Sequence, residues 1–200
     1  VHGKFRDYHV ICSNSSQQVP TAPQFIIYHS SFIIEKMQVL NDRKIRQKIR
    51  RLAIEILEHN HDETELILAG INNRGMAFAK LLEAELKSFS KLPISLTQIR
   101  VSPADPLSTE VTIGMPIEAL RGKVVIIVDD VANTGRTIFY ACKPLLETLP
   151  KKVEVAVIVD RSHKSFPVKV DYFGISLATT LLENIDVQVG DDQQLGAFLN

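Results

Sequence analysis

Val124-Val125-Ile126-Ile127-Val128-Asp129-Asp130-Val131-Ala132-Asn133-Thr134-Gly135-Arg136-Thr137 joins an aliphatic run, two carboxylates and a short polar loop in one stretch of chain. The near-continuous aliphatic run Lys123–Asp129 reads as a strand of a parallel sheet covered on both faces. The loop then opens a helix, whose unpaired backbone N–H groups and positive dipole end suit a phosphate. Thr134 and Thr137 add hydroxyl donors, and Gly135 permits close backbone approach to a ligand. Asp129 and Asp130 would repel phosphate. They suit the hydroxyl groups of a sugar and a cation bound beside it. A single Asp before a Gly would read as a strand end and helix cap. Two acids followed by Thr-Gly-Arg-Thr, directly after an aliphatic strand, are a more specific signal.

Outward from this stretch the chain alternates strands and helices. Asn41 or Asp42 caps an expected helix to about Asn60, with Ile45, Ile49, Leu52 and Ile56 on one face. Glu65–Ile71 reads as a buried strand, and Gly75–Ser88 as a helix with Met76, Ala79, Leu82 and Leu86 inward. Strands are expected at Pro93–Val101, Glu110–Ile113, Val153–Asp160 and Val170–Ile175, with a Pro-containing loop at Ser102–Leu107. Arg136–Leu149 reads as a helix that Pro144 bends or shortens. The pattern calls for an α/β fold with a mainly parallel central sheet flanked by helices. Residues 1–36, rich in Ser, Gln and Pro, read as a poorly ordered or peripheral extension, with short strands conceivable at Phe25–Tyr28 and Phe32–Ile34. Residues 37–200 form the expected folded domain.

The 200 residues suffice for one domain, and 23 Lys plus Arg balance 23 Asp plus Glu, which removes a global pull toward nucleic acid or membrane. Cys12 and Cys142 are far apart and lack metal-ligand company, so a disulfide framework is not expected. No apolar run reaches the roughly 18 residues of a membrane span, and no secretory leader pattern is visible. A cytoplasmic location is expected.

The segment Val124–Thr137 resembles the signature of type I phosphoribosyltransferases, whose ligand is phosphoribosyl pyrophosphate (PRPP): an aliphatic strand, two acids, a variable pair and Thr-Gly-x-Thr. Two further segments carry the resemblance toward the pyrimidine-operon attenuator and uracil phosphoribosyltransferase group, the PyrR-like proteins. Leu68-Ala69-Gly70-Ile71-Asn72-Asn73-Arg74-Gly75 is similar to the pyrophosphate loop. Val159-Asp160-Arg161-Ser162-His163-Lys164-Ser165-Phe166-Pro167-Val168 with Asp171-Tyr172-Phe173-Gly174 is similar to the segment that leads to a small hood over the nucleobase. The likeness covers about Gln38 to Val189.

The resemblance implies transfer of ribose-5-phosphate from PRPP to a nucleobase, with loss of pyrophosphate and Mg2+ bound mainly through PRPP oxygens. It implies that Asp129 and Asp130 hold the ribose hydroxyls and stabilise positive charge on the sugar. Val131, Ala132, Asn133, Thr134, Gly135, Arg136 and Thr137 would complete the PRPP site, with Ala132–Thr137 around the 5-phosphate. Asn73, Arg74 and Gly75 would face pyrophosphate, and Ile175 would lie near the base. A homodimer is implied as well. Arg74 at a helix start opposes the helix dipole, which disfavours a purely structural role. His163 reads as a structural loop histidine.

Two departures shape the expectation. Purine-specific relatives carry a carboxylate where this chain has Asn133. An amide cannot take that proton, which leaves a pyrimidine, another base or no base. The stretch Ile99–Pro106 lacks the group's Tyr-Arg-Asp-Asp run, although Arg100 lies nearby, so weaker closure over PRPP is expected. The alternatives are an RNA-binding regulator of pyrimidine genes that senses nucleotides, or a catalytically weak PRPP- or nucleotide-binding relative. Arg43, Lys44, Arg46, Lys48, Arg50 and Arg51 crowd the first helix. They read either as a solvated face or as RNA phosphate contacts.

Overall fold

Alternate residues of the aliphatic run face opposite ways. In the computed structural model, which describes residues 36–178, 184–190 and 195–199, Val124, Ile126 and Val128 join one core and Val125 and Ile127 the other. All five are fully buried, which is why the run carries no polar face. Strand β5 (Val124–Ala132) thus lies inside a sheet with β2 (Leu66–Ile71), β3 (Ile94–Arg100), β4 (Thr112–Ile113), β6 (Lys152–Arg161) and β7 (Tyr172–Leu177). The order is β4-β3-β2-β5-β6-β7. All neighbours pair in parallel except the short edge strand β4, which returns antiparallel to β3.

Helices α1 (Asp42–His59) and α2 (Asn72–Phe89) cover one face. The short helix α3 (Arg136–Ala141) and two 3-10 turns, Ile117–Leu120 and Lys143–Glu147, cover the other. This is the expected α/β architecture. Helix α1 starts as its sequence predicts: the Asn41 side chain accepts from Lys44 N at 3.0 Å, and Ile45, Ile49, Leu52 and Ile56 are buried. Within α2, Phe78 takes the inward place expected of Met76. Helix α3 is much shorter than the expected 136–149 run. Pro144 lacks the N–H that would continue the α-helical ladder, and the chain tightens into a 3-10 turn.

A second sheet was not foreseen as strands. β1 (Met37–Leu40), β9 (Gly196–Leu199) and β8 (Ile185–Gln188) form an antiparallel set in the order β1-β9-β8. Leu40, Ile185, Val187 and Ala197 pack into the core that α1 and α2 share. It is the small additional subdomain expected as a hood, built from sequence-distant segments. The strands considered at Phe25–Tyr28 and Phe32–Ile34 lie outside the described residues. Among the described residues no helix is long and apolar enough to cross a membrane.

Away from the carboxyl ends of the strands, a buried polar cluster joins α1 to the sheet. Asn60 Nδ2 donates to Ile56 O at 2.9 Å, Glu154 Oε2 at 3.0 Å and Tyr172 Oη at 3.2 Å. Burial, reinforced by the Glu154 charge, pushes the Tyr172 phenol well above its ordinary pKa. Asn60→Ala removes the donor these acceptors share, and is expected to cost about 1–3 kcal/mol of stability in urea titration.

Candidate functional site

The carboxyl end of β5 is where the fold carries acids into its interior. Asp129 and Asp130 are each only 8% exposed. Asp130 N donates to Asp129 Oδ1 at 3.0 Å. Loss of water drives the Asp129 carboxyl well above the usual carboxylate range, and the neighbouring Asp130 charge adds to this. The cation Arg74 pulls the other way.

Arg74 arrives from α2, whose start is set by a one-residue reversal. Asn72 is in the left-handed region at φ 48°, a conformation Asn tolerates better than most residues. Its side chain donates to Val101 O at 2.9 Å and accepts from Val101 N at 3.1 Å, fastening the end of β2 to the end of β3. Gln98 Nε2 donates to the Asn72 carbonyl at 2.9 Å. The helix therefore begins at Asn72 rather than at the expected Gly75, and Asn73, Arg74 and Gly75 occupy its first turn. Gly75 lies against β5 itself: a Cβ there would sit 2.4 Å from Val128 O. This contact holds Arg74 beside the acids, with Nη1 3.5 Å from Asp130 Oδ2 and Nη2 3.2 Å from Asp186 Oδ1 of β8.

A cleft of about 450 Å³ opens here, lined by Asn73, Arg74, Pro103, Asp129, Asp130 and Thr137, among others. Beside it Val131–Ile138 curl around a small concavity. Gly135 turns this loop at φ 85°, a left-handed value that favours glycine. Helix α3 has only six residues, and at its start Thr134 Oγ1 accepts from Arg136 N at 3.4 Å. The Thr134 carbonyl accepts from Ser165 N at 3.0 Å and Phe166 N at 3.1 Å, which braces the loop from outside.

Arg136 does not point into the cradle. Its Nη2 donates to Pro103 O at 2.7 Å, tying the start of α3 to the 102–106 loop beside the cleft. Arg161 Nη1 donates to Asn133 Oδ1 at 2.8 Å. A guanidinium has donors only, so the Asn133 oxygen faces it. Lys164 donates to Ala132 O at 3.2 Å and pairs with Asp160.

Asn73, Arg74, Asp129, Asp130, Val131 and Thr137 thus share one cleft, with Ala132–Arg136 adjoining it. Ile175 stands apart. Within β7 it pairs with Val159 of β6, and it packs against the core on the α1 side. His163 is exposed. The basic run on α1 is partly committed: Arg46 pairs with Asp42, Arg51 donates to Phe173 O at 2.6 Å, and Arg50 lies over the Phe89 ring. Sequence reasoning assigned no role to Asn72, Lys164 or Asp186. Asn72 and Lys164 stand in motif segments already singled out, but nothing local marks Asp186.

Among the described residues no three His, Cys, Asp or Glu side chains gather as a metal site. The hard oxygens of Asp129 and Asp130, buried together, fit a divalent cation that takes its remaining ligands from substrate and water.

Residues 36–194 match the family described as phosphoribosyl transferase domain. The chain is 35% identical over 159 residues to the bifunctional protein PyrR of Streptococcus uberis, covering 78% of this chain and 91% of the relative. It is 33% identical over 167 residues to the bifunctional protein PyrR of Pelotomaculum thermopropionicum, at 78% and 90% coverage. Among solved structures, the hypoxanthine phosphoribosyltransferase of Trypanosoma cruzi superposes with a TM-score of 0.61 at 20% identity, over 70% of this chain and 81% of that one. At that identity the likeness concerns the fold.

The Asp129 carboxyl is raised in the native state, so its contribution to stability is full below the unfolded carboxylate pKa, roughly 4. It is lost as pH rises through the native value. Above that value the buried charge opposes folding. Asp129→Asn is expected to raise the urea midpoint at neutral pH, with the gain shrinking as pH falls. Parallel urea titrations across pH check both the sign and the trend.

Proposed function

Because the chain belongs to the phosphoribosyltransferase family, we propose that it transfers ribose-5-phosphate from PRPP to a nucleobase, uracil or a similar pyrimidine, and releases pyrophosphate. The observation that carries this reading is the gathering of a buried acid pair and Arg74 around one cleft, with the Thr134-Gly135 loop forming a small concavity that adjoins it.

In this reading Asp129 and Asp130 hold the two ribose hydroxyls. The loop Ala132–Thr137 receives the 5-phosphate through backbone N–H groups and the Thr134 and Thr137 hydroxyls. Asn73 and Arg74 face pyrophosphate, Arg74 by charge, and Gly75 serves the same subsite by letting α2 approach β5 closely enough for Arg74 to reach it. Asp129 and Asp130, with substrate oxygens, would hold a divalent cation, and such a cation would supply charge neutralisation for the leaving group. As the anomeric bond opens, positive charge on the sugar meets carboxylates that are already in place, so little reorganisation is needed. Arg136 tethers the 102–106 loop beside the cleft.

Asn133 supports a base other than a purine. It is an amide whose oxygen is occupied by Arg161, and it offers no carboxylate to a purine ring N–H. A cytoplasmic homodimer completes the proposal. A groove of about 590 Å³ that includes Leu107, Phe139, Leu146 and Val153 supports a covered face.

Incubation with labelled PRPP, magnesium and a panel of bases is expected to release pyrophosphate with uracil. Asp130→Asn should lower kcat/KM by about a hundredfold or more. PRPP binding without turnover on any base would instead leave a nucleotide-binding relative.

A second reading, an RNA-binding regulator, draws on the name bifunctional that the relatives carry and on the exposed cations Arg43 and Lys44 of α1. It predicts a salt-sensitive mobility shift of pyrimidine-operon leader RNA. Unchanged mobility at low salt removes it.

A further inference from the structure

Arg74 is the only cationic side chain among the residues that line the acid-bearing cleft, yet both ends of its guanidinium are already turned to carboxylates. Nη1 lies 3.5 Å from Asp130 Oδ2 and Nη2 lies 3.2 Å from Asp186 Oδ1. Asp130 belongs to the acid pair. Asp186 does not line the cleft. It stands on β8 of the small sheet, where its other oxygen is 3.9 Å from Lys36 Nζ.

We propose that Asp186 is a positioning residue that competes for Arg74 as an internal substitute for the anionic leaving group. This rests on the reading of Arg74 as the group that faces pyrophosphate. A carboxylate and a phosphate edge offer the same acceptor pattern to a guanidinium fork. An entering pyrophosphate therefore has to displace Asp186 before it gains the full fork. Arg74 has room for the exchange. Its side chain is 61% exposed, and it also borders a second cavity of about 360 Å³ with Lys80, Gln98, Val189 and Gly190. Asp186 thereby links the small sheet to anion affinity in the cleft. When the β8 carboxylate moves away, Arg74 is released to ligand. When it stays, Arg74 is held back.

The direction of the effect follows from charge. Removing Asp186 frees one side of Arg74 and subtracts a negative charge near a polyanion site, and both changes favour anion binding. The exposure of the pair keeps the magnitude modest.

The test is calorimetric titration of magnesium pyrophosphate into the full chain, with PRPP binding to the unaltered protein measured in parallel. Asp186→Asn is expected to bind pyrophosphate about two- to fivefold more tightly at low salt, with the advantage fading as ionic strength rises. Asp186→Glu, which keeps the charge, should stay near the affinity of the unaltered protein. In an Arg74→Gln background, Asp186→Asn should give a smaller gain, because the arginine it releases is gone. PRPP binding by the unaltered protein together with no tightening in Asp186→Asn overturns this inference alone. The same gain with and without Arg74 also overturns it, since the effect would then be bulk charge. An unaltered protein that binds neither PRPP nor pyrophosphate removes the inference along with the reading of the cleft on which it rests.

Discussion

Two adjacent carboxylates stand almost out of water at the end of an aliphatic strand, and that arrangement sets the terms for the rest of the site. Desolvation and mutual repulsion both favour protonation of Asp129, and the relief at hand is limited: the Asp130 N–H on one oxygen and the Arg74 guanidinium at 3.5 Å from Asp130. A fold that minimised only its own energy would place apolar or amide groups here. Retention of both acids is understandable if a sugar and a cation supply what the protein withholds. The strand that bears them is central, with β2 and β6 on its two sides and a core against each face. The acids therefore stand on a rigid element, where their separation and direction are set before any ligand arrives.

The surrounding loops are held by side chains that reach across to backbone far away in sequence. Asn72 grips Val101, Gln98 grips the Asn72 carbonyl, Arg136 grips Pro103 and Lys164 grips Ala132. Each spans neighbouring connections at the carboxyl ends of the strands. Together they convert short irregular segments into a braced rim. Gly75 acts by absence: without a side chain, α2 approaches β5 closely enough for Arg74 to reach the acids. Geometry thus concentrates one cation and two acids at a place where charge matters more than it would in water.

Much of this was legible in the residue order. A run of five aliphatic residues has to be buried on both faces, two acids and a Thr-Gly-Arg-Thr loop directly after it have few structural uses, and the 3.6-residue stripe of α1 admits one inward face. These are local consequences of hydrophobicity, charge and glycine conformation, and they determined the fold class, the central strand and the candidate cleft. What only the tertiary structure decided depends on contacts between distant segments. The small sheet draws β1 from one part of the chain and β8 and β9 from another, and each strand of four residues is too short to carry a periodic signal. Helix α2 starts early because Asn72 can fasten to Val101, a partner 29 residues away. Arg136 faces a loop carbonyl instead of the cradle, and Asp186 meets Arg74 from another sheet. Sequence records which groups are present and how neighbours along the chain pattern them. Which long, flexible side chain meets which distant oxygen is settled only when packing brings both ends together.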